Sequence, residues 1–352
     1  MIVAGIGKTR RAQGGGRGMI AVLLPLLLLL APAPGQAATL DALRARGHLV
    51  CGVSESAPGF SDVASNGTWS GLDIDFCGAV AAAVLGRKDA VKYRALTPST
   101  RFQALTAGEV DLVARATTWT LSRDTDLGVR YVGTIFHDGQ GFLVRRGYAV
   151  TSVLELSGAS ICVMTGTNGE QAVAQYFNSR QMQYRLVVGS RWEDVVKTYA
   201  DGGCTLLTGD ISMLAYERSR LTIPTDHVVM PEVITKEPYG PAVRQGDDQW
   251  FSIVRWTLFA LMGAEELGLT SETIDDARAS PLVDVRRFVG LEGNLGQGMG
   301  LEADWSYQIV KQGGNYGEMF DRNLGARSPL LLERGANNLW IKGGLMYVPP
   351  FR

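Results

Sequence analysis

Short apolar runs alternate with amphipathic segments over most of the chain beyond residue 38. In the first part, apolar runs predict strands at 48–53, 91–96 and 111–114. Segments with the apolar spacing of helices lie beside them, at 39–46, 71–85 and 100–107. Such alternation predicts a mostly parallel sheet with helices on both faces, in which ligands bind at the carboxyl ends of the strands.

A second alternating unit begins at the apolar residues 141–144. Its predicted strands lie at 160–164, 184–188 and 204–208, and its predicted helices at 152–156, 168–178, 192–200 and 210–218. We predict one more strand at 238–243, crossing back, because the long helix that follows at 247–267 carries an apolar stripe. Two crossings imply a two-strand hinge. The sequence therefore predicts two α/β domains, a first lobe from 38–142 and 241–352, which includes a C-terminal extension, and a second lobe from 143–240.

The amino-terminal 37 residues have the composition of a secretory signal peptide. Four basic residues precede an apolar run at 19–31, and small residues follow at 35–38. The run is too short and too rich in proline for a membrane-spanning helix, which needs about 20 apolar residues. A twin-arginine signal is the less favoured alternative, because large apolar residues do not soon follow Arg10 and Arg11. We therefore expect export to the periplasm.

The charge balance excludes one class of partner. Without residues 1–37, the chain has 315 residues, with 30 basic against 35 acidic ones, a net charge of about −5. Nucleic-acid-binding proteins need concentrated positive charge, so we expect no nucleic-acid partner. The remaining length is enough for two domains of ordinary size.

The four cysteines are an even number in a chain expected to be exported, which favours disulfides. One of the three possible pairings, Cys51 with Cys77 and Cys162 with Cys204, closes a loop within each predicted lobe. Buried free thiols are the alternative. A zinc site is less favoured still, because the sequence has no Cys-x-x-Cys pair and three histidines. We expect no metal and no cofactor.

The turn at 115–125 has the composition of an anion receptor. It follows a predicted strand and begins a helical segment, so the hydroxyl of Thr118 and free backbone N–H groups favour negative charge there. The guanidinium of Arg123 is the candidate to bind both oxygens of a carboxylate. The alternative is a solvated arginine that makes a weak surface pair with Asp124.

Two further positions suit the charged groups of an amino acid. The turn at 165–170, with Thr167 and Asn168, places N–H donors at a helix start, where they bind a carboxylate or merely cap the helix. Asp210 follows a predicted strand and is the candidate acceptor for an ammonium group, with helix capping again the alternative. Phe60 and Trp119 are candidate apolar walls or cation–π partners, although aromatic residues in sheet proteins are more often core.

Several motifs resemble the periplasmic amino-acid-binding proteins of ABC importers, solute-binding family 3. They are VCGVSESAPGF at 50–60, GLDIDF at 71–76, LTAGEVDL at 105–112, TWTLSRD at 118–124 and VMTGT at 163–167. Three more motifs resemble the general L-amino-acid-binding branch of that family, namely DGQGF at 138–142, KEPYGPAVRQGDDQWF at 236–251 and GNYGE at 314–318. All four cysteines also stand where that branch has them.

The resemblance implies a type II periplasmic-binding-protein fold, also called a Venus flytrap, whose two lobes close on an L-amino acid. It implies that Arg123, Thr118 and the backbone of Ala116 bind the ligand carboxylate from the first lobe. Asn168, next to Thr167, binds the carboxylate from the second lobe, and Asp210 accepts from the ammonium. Ser54 stands where binders of basic amino acids have an acid, which argues against a lysine- or arginine-selective pocket. The implied partner is an ABC permease, and the implied state is a monomer.

Two other functions are compatible with the same scaffold. A periplasmic dehydratase that acts on arogenate or prephenate needs a general acid in the cleft, for which Glu55 and Glu170 are the candidates. Neither lies in a catalytic motif, and the sequence has no nucleophile elbow or phosphate-binding loop. A separate sensor protein is the third possibility. The sequence therefore favours a broad-specificity amino-acid-binding protein that is not an enzyme.

Overall fold

A computed structural model describes residues 39–165 and 168–352, apart from the side chain of Asn168. The predicted signal peptide at 1–37 lies outside the described residues, and so does Thr167. Within the described ranges, no helix combines the length and the apolar character needed to cross a membrane.

The strands fall into two five-stranded sheets and two small ones. Their bounds are β1 Leu49–Val53, β2 Ser56–Ala57, β3 Ser61–Val63, β4 Trp69–Ser70, β5 Val91–Ala95, β6 Leu112–Val113, β7 Val129–Tyr131, β8 Phe136–Asp138, β9 Gln140–Arg145, β10 Ala159–Met164, β11 Tyr184–Gly189, β12 Leu206–Asp210, β13 His227–Val229, β14 Glu237–Tyr239 and β15 Ala242–Arg244.

The α-helices alternate with these strands, as predicted. Their bounds are α1 Thr39–Arg46, α2 Leu72–Leu85, α3 Arg101–Thr106, α4 Leu121–Asp126, α5 Asn168–Ser179, α6 Trp192–Ala200, α7 Ile211–Arg220, α8 Asp248–Glu266, α9 Val283–Phe288, α10 Trp305–Gly313 and α11 Tyr316–Asn323. The predicted helices at 39–46 and 192–200 are confirmed to the residue.

Each large sheet is mixed, so the prediction of mostly parallel sheets is wrong for half of the strand pairs. In the first sheet, of order β5-β1-β6-β15-β7, β1 runs parallel to β5 and β6, and β15 runs antiparallel to β6 and β7. In the second, of order β11-β10-β12-β9-β13, β10 runs parallel to β11 and β12, and β9 runs antiparallel to β12 and β13. The antiparallel strands β9 and β15 enter their sheets directly after a hinge strand. Without a crossover helix, they are free to run against their neighbours.

The hinge is a two-stranded antiparallel sheet formed by β8 and β14, in which His137 is opposite Pro238. This confirms two α/β lobes joined by two strands, although the lobe boundaries at 142 and 240 stay a prediction. The single strand predicted at 238–243 is wrong, because the chain divides there into β14 of the hinge and β15 of the first sheet. The break falls at Gly240 and Pro241. Pro241 has no N–H for a ladder, and a Cβ on Gly240 would lie 2.5 Å from the carbonyl oxygen of Gly133.

The core of the first lobe forms where α2, α8, α10 and α11 pack together. Helix α2 is rich in alanine and ends at Gly86, whose left-handed φ of 69° suits a helix C-cap. Its residues Leu72 and Phe76 are fully buried, and each such side chain contributes roughly 1.5–3 kcal/mol of transfer free energy. The second lobe has two separate apolar clusters. One contains Phe142 with Phe177, and the other contains Leu143 with Leu214.

The C-terminal extension, in which the sequence predicted no elements, contains α10 and α11 and reaches the hinge. The side chain of Asn337 accepts from the backbone N–H of His137 at 2.6 Å and donates to its carbonyl oxygen at 3.0 Å. The hydroxyl of Tyr316 donates to the carbonyl oxygen of Ile135 at 2.8 Å. Arg334 pairs with the largely buried Glu265 at 3.0 Å. The extension is therefore bonded to β8 and to the residue that precedes it.

The disulfide pairing expected from the two predicted lobes is confirmed. Cys51 in β1 is bonded to Cys77 in α2, and Cys162 in β10 is bonded to Cys204, just before β12. All four residues are almost fully buried.

Removing one bridge should measurably destabilise the protein. The Cys162–Cys204 bridge spans 42 residues of sequence, and closing a loop of that size stabilises a fold by about 4 kcal/mol in the chain-entropy description. We expect the double variant Cys162→Ala/Cys204→Ala to lose roughly 3–4 kcal/mol of unfolding free energy in urea titrations followed by circular dichroism. Peptide mapping without reductant is the control on connectivity. An unchanged unfolding free energy, or a peptide that links Cys51 to Cys204, would contradict the pairing.

Candidate functional site

Two adjoining cavities, which we call the interlobe cleft, share Asp210 and Met213. The first has a volume of about 200 Å³ and takes its walls from both lobes and the hinge, including Thr118, Gln140, Met164, Gly169, Trp192 and Glu237. The second, of about 160 Å³, is lined from the first lobe by residues that include Ser54, Phe60, Arg115 and Ala116, and from the hinge by Tyr239. Each volume is comparable to that of a small organic ligand.

Asp210 lies at the meeting point of the two cavities. It is the last residue of β12 and precedes α7, and its side chain makes no capping bond to that helix. Instead, its Oδ2 accepts from the hydroxyl of Tyr239 at 2.7 Å. Burial raises the pKa of Asp210, and the charge of Glu237 raises it further, whereas the Tyr239 bond lowers it. The expected ammonium acceptor therefore lies in the cleft, and the capping alternative does not describe its side chain.

Thr118 borders the first cavity and lies against the hinge. Its hydroxyl donates to Oε2 of Glu237 at 2.7 Å, and its backbone forms an antiparallel bridge with Tyr239. Its carbonyl oxygen accepts from Nη1 of Arg123 at 2.8 Å and from the hydroxyl of Tyr131 at 3.1 Å. The threonine turn is thus bonded to the hinge strand β14, whose Tyr239 also donates to Asp210.

Arg123 lies behind Thr118, in the short helix α4, where Thr120 is the N-cap. It is not among the described residues that line either cavity of the cleft. Asp124, its expected surface partner, accepts from the backbone N–H of Tyr131 at 3.0 Å. The guanidinium therefore stabilises the threonine turn in this structure, and Thr118 lies between it and the cavity.

Ala116 has a strained backbone, and its N–H is already bonded. Its φ of 39° falls in the left-handed region, which is uncommon for a residue with a side chain. Its N–H donates to Oδ2 of Asp73 at 2.8 Å. Asp73 is buried, and that burial raises its pKa to about 7, although the Ala116 bond and the charge of Arg115 act against the rise. In this structure, the N–H expected to help a ligand carboxylate instead bonds to Asp73.

The other three predicted ligand-binding residues, Ser54, Phe60 and Trp119, separate into two groups. Ser54 and Phe60 line the second cavity. Phe60 is also a core residue, with edge-on ring contacts to Phe136 at 5.1 Å and Tyr239 at 5.5 Å. Trp119 stacks on Tyr131 at 5.9 Å and is not among the described residues that line the cleft.

The second anion-binding turn is described only at its edges. Thr167 and the side chain of Asn168 lie outside the described residues. Their neighbours Met164 and Gly169 line the first cavity, and the carbonyl oxygen of Gly169 accepts from Nε2 of Gln140 at 3.1 Å. The turn therefore adjoins the cleft on the side of the second lobe.

Sequence reasoning missed several residues of the cleft. Glu237 and Tyr239 line the cleft and lie within the KEPY segment at 236–239. That segment carries the family resemblance, but its residues were not predicted to form the site. Trp192 covers Gly209 so closely that a Cβ there would lie 2.7 Å from its ring. Gly209, just before Asp210, therefore indicated that a bulky side chain packs there, but the sequence did not identify that side chain as Trp192.

Carboxylates dominate the charge where hinge and second lobe meet. Asp138, in β8, accepts from the backbone N–H of Gly139 at 2.8 Å and from the hydroxyl of Ser212. Burial raises the pKa of Asp138 to about 7, and the charge of Asp210 adds to the rise. With Glu237 nearby, such a region favours a cation and resists a second anion. Among the described residues, no group of three or more His, Cys, Asp or Glu side chains could hold a metal ion.

Tyr239→Phe tests whether the hinge hydroxyl keeps Asp210 charged. We expect affinity for an amino acid to fall about tenfold at pH 6, because a hydrogen bond to a charged group contributes about 1.5–3 kcal/mol. The pKa of Asp210 rises further without that bond, so the loss should shrink as the pH is raised to 8. Isothermal titration calorimetry at both values measures it. Tyr307→Phe is the matched control, because that hydroxyl donates to the exposed Asp275 at 2.7 Å. Equal affinities for Tyr239→Phe and the wild type at both values would contradict the role.

Residues 49–273 match the family of bacterial extracellular solute-binding proteins, family 3. The general L-amino acid-binding periplasmic protein AapJ of Rhizobium johnstonii is 46% identical over 93% of this chain and 96% of its own length. The glutamate/glutamine/aspartate/asparagine-binding protein BztA of Rhodobacter capsulatus is 45% identical over 93% and 97%.

A solved structure is similar over most of the chain. It is an ABC transporter periplasmic binding protein from Brucella ovis with glutathione bound, 45% identical, which covers 90% of this chain and 100% of that one. The TM-score is 0.84. The similarity therefore extends through both lobes and the hinge.

Proposed function

The chain belongs to the bacterial extracellular solute-binding proteins of family 3, and we propose that it is the periplasmic subunit that captures L-amino acids for an ABC importer. It has the two-lobed type II fold of periplasmic binding proteins. It is a binding protein and not an enzyme, and its relatives AapJ and BztA are likewise amino-acid-binding proteins. The breadth of its specificity, its monomeric state and its delivery to a membrane permease are part of this proposal.

One observation carries the proposal. A partly buried carboxylate, Asp210, lies in a cleft whose walls come from both lobes, and Thr118 approaches from the opposite lobe. An α-amino acid presents an ammonium and a carboxylate on one carbon, so it needs opposite charges supplied from nearby directions. The cleft contains the acid, and the threonine turn with Arg123 contains the cation and the hydroxyl donor.

Each predicted site residue except Trp119 has a role in this proposal. Asp210 binds the ammonium, Arg123 with Thr118 binds the carboxylate from the first lobe, and Thr167 with Asn168 binds it from the second. Ala116 contributes its backbone, for which its N–H must leave Asp73. Ser54 and Phe60 border the ligand side chain, whereas Trp119 packs on Tyr131 outside the cleft lining, so the predicted contact of Trp119 with the ligand is not retained. Because Arg123 donates to Thr118 in this structure, its guanidinium must exchange that carbonyl oxygen for the ligand carboxylate, or bind both.

Closure of the hinge is the mechanism of capture. A ligand that contacts both lobes binds the closed state more tightly than the open one, so it shifts the population toward closure. The two-strand hinge of β8 and β14 is where such a movement concentrates. Micromolar affinity requires about 8 kcal/mol, which two charge-assisted contacts and an enclosed side chain can provide after ordering costs. The closed shape is the signal that a permease recognises.

The two acids expected for the dehydratase alternative do not line the described cleft. Glu55 is exposed, and neither Glu55 nor Glu170 is among the described residues that line the cleft. The named relatives are binding proteins. No observation favours the enzyme.

A thermal-shift screen of the exported form tests the function. We expect several L-amino acids to raise the melting temperature, because a ligand that binds only the folded state stabilises it. Keto acids, prephenate and arogenate are included for the alternative, with product analysis after incubation. No shift with any of the twenty amino acids would contradict the proposal, and turnover of arogenate or prephenate would replace it with the enzyme.

A further inference from the structure

A third cavity lies on the other side of the hinge from the cleft, and we call it the hinge-back cavity. Its volume is about 530 Å³. Successive residues of a strand point to opposite faces. The opposed residues His137 and Pro238 therefore face this cavity, whereas Tyr239 of the same ribbon lines the cleft. The hinge ribbon lies between the two spaces, although Ser212 and Glu237 border both.

The walls of the hinge-back cavity come from parts of the protein that move against one another when the hinge bends. Leu332 and Leu345 belong to the C-terminal extension, which packs on the core of the first lobe. Ile211 and Val233 belong to the second lobe, at the start of α7 and in the segment before β14. Because the hinge is the pivot between the two spaces, opening the cleft narrows the hinge-back cavity and closing the cleft widens it.

A chain of hydrogen bonds connects the extension to the hinge. Arg334 donates to both carboxylate oxygens of Glu265, in α8, at 3.1 and 3.0 Å. It also donates to the carbonyl oxygen of Asn337, from Nε at 3.0 Å and from Nη2 at 2.9 Å. Asn337 is 4% exposed, and its side chain bonds both backbone groups of His137. We call Arg334 and Asn337 the hinge strut, which ties β8 to a core helix of the first lobe.

The hinge strut restricts where the hinge can bend. Strand β8 is held to the first lobe, so a rotation of the second lobe has to begin after Asp138, the last residue of β8. Gly139 follows, and the side chain of Val233 lies so close to it that a Cβ would not fit. The point where the chain leaves β8 therefore lies against one wall of the hinge-back cavity.

We propose that the C-terminal extension limits how far the two lobes open, and that it thereby sets ligand affinity from outside the cleft. When the cleft opens, the second-lobe wall of the hinge-back cavity moves toward the wall formed by the extension, while the hinge strut keeps β8 in place. A ligand-free protein confined to a narrow range of openings has less to order when it closes, so it binds more tightly. This inference rests on the proposed function, in which the lobes close on an amino acid.

The extension lies apart from the ligand. No residue beyond Tyr239 is among the described residues that line the cleft. The match to the family ends at residue 273, before Arg334 and Asn337. An effect of the extension on affinity therefore has to act through the hinge, and it should be the same for every ligand.

Two substitutions with opposite expected effects test the proposal. Leu345→Trp fills part of the hinge-back cavity and resists opening, so it should tighten amino-acid binding by about threefold or more. Asn337→Ala removes the hinge strut and should weaken binding by about threefold or more. Isothermal titration calorimetry with every L-amino acid that the wild type binds is the measurement. Each variant should shift all the dissociation constants by the same factor, because no contact in the cleft has changed.

Small-angle X-ray scattering without ligand measures the opening itself. The radius of gyration should be larger for Asn337→Ala than for the wild type, and smaller for Leu345→Trp. Leu282→Trp is the matched control, because Leu282 and Leu345 are both 63% exposed and Leu282 is not among the described residues that line the hinge-back cavity. That control should match the wild type in both measurements.

Leu345→Trp keeps the test decisive if Asn337→Ala does not fold, since the side chain it replaces is mostly exposed. Wild-type affinity and radius of gyration in Leu345→Trp would overturn the inference and leave the proposed function intact. Factors that differ between ligands would do the same, because they indicate a change in the cleft. A wild type that binds no L-amino acid would overturn the proposed function, whereas the ligand-free radii test the extension without any ligand.

Discussion

Asp210→Asn is expected to reduce amino-acid affinity by about a hundredfold or more at pH 7.5, the largest effect of any single substitution in the cleft. Asparagine keeps the shape and can still accept from the Tyr239 hydroxyl, which now bonds to Oδ2 at 2.7 Å. What is lost is the negative charge opposite the ligand ammonium. A hundredfold loss corresponds to about 2.8 kcal/mol, which is within the range of about 2–5 kcal/mol for removing one partner of a buried hydrogen-bonded charge pair in a binding interface. Isothermal titration calorimetry measures it directly.

The pH dependence of affinity separates this charge effect from a change of shape. Burial raises the pKa of Asp210 above its usual range, and only the ionised form pairs with an ammonium. Wild-type affinity should therefore fall as the pH drops through the raised pKa, whereas Asp210→Asn should be much less sensitive to pH. The charges of Asp138 and Glu237 also act on Asp210 or are acted on by it, so Glu237→Gln is measured beside it. Asp201→Asn is the control, because that exposed carboxylate pairs with Lys197. Asp210→Asn with wild-type affinity would refute the ammonium site.

Arg123→Ala is expected to reduce amino-acid affinity by about tenfold or more, because a bidentate contact to the ligand carboxylate would be lost. The structure adds a second reason. Its Nη1 holds the carbonyl oxygen of Thr118 at 2.8 Å, so the substitution also frees the turn that carries the Thr118 hydroxyl. Titration calorimetry with one neutral amino acid is the measurement. An unchanged affinity would count against both roles.

Two further variants distinguish the roles of Arg123. Arg123→Lys keeps a charge but loses the planar fork, so it should lose nearly as much affinity as Arg123→Ala if two parallel bonds matter. If the charge alone matters, lysine should restore most of the affinity. Arg94→Ala is the control, because Arg94 is exposed and forms its ion pair with Glu109 at 2.6 Å. That control should bind like the wild type.

The C-terminal extension connects the core of the first lobe to the hinge strand β8. Asn337 bonds both backbone groups of His137, and Tyr316 bonds the carbonyl oxygen of Ile135. These contacts replace water at backbone groups at and just before the hinge strand β8, so they should stiffen it. The sequence did not predict the second hinge strand as a separate element, because the single strand predicted at 238–243 combined β14 of the hinge with β15 of the first sheet.

The sequence determined the elements whose signals are local. The amphipathic repeat located α6 at Trp192–Ala200, and the apolar runs located β10 and β11 to within a residue. The order of strands and helices placed Asp210 at the end of a strand, and the expected lobes led to the cysteine pairing that the structure has. These features follow from periodicity and chain order, which neighbouring residues alone express.

The tertiary structure decided which side chains meet. Tyr239 is 29 residues from Asp210, Glu237 is 119 from Thr118, and Asp73 is 43 from Ala116. No periodic pattern records such distant contacts. The first two depend on how the hinge lies against the two lobes, and the third depends on packing within the first lobe. The charge of Arg101 is likewise visible in the sequence, but the burial of its Nε without a hydrogen-bond partner among the described residues is not. Burial is set by how distant segments pack, and the local periodicity of a sequence does not record that packing.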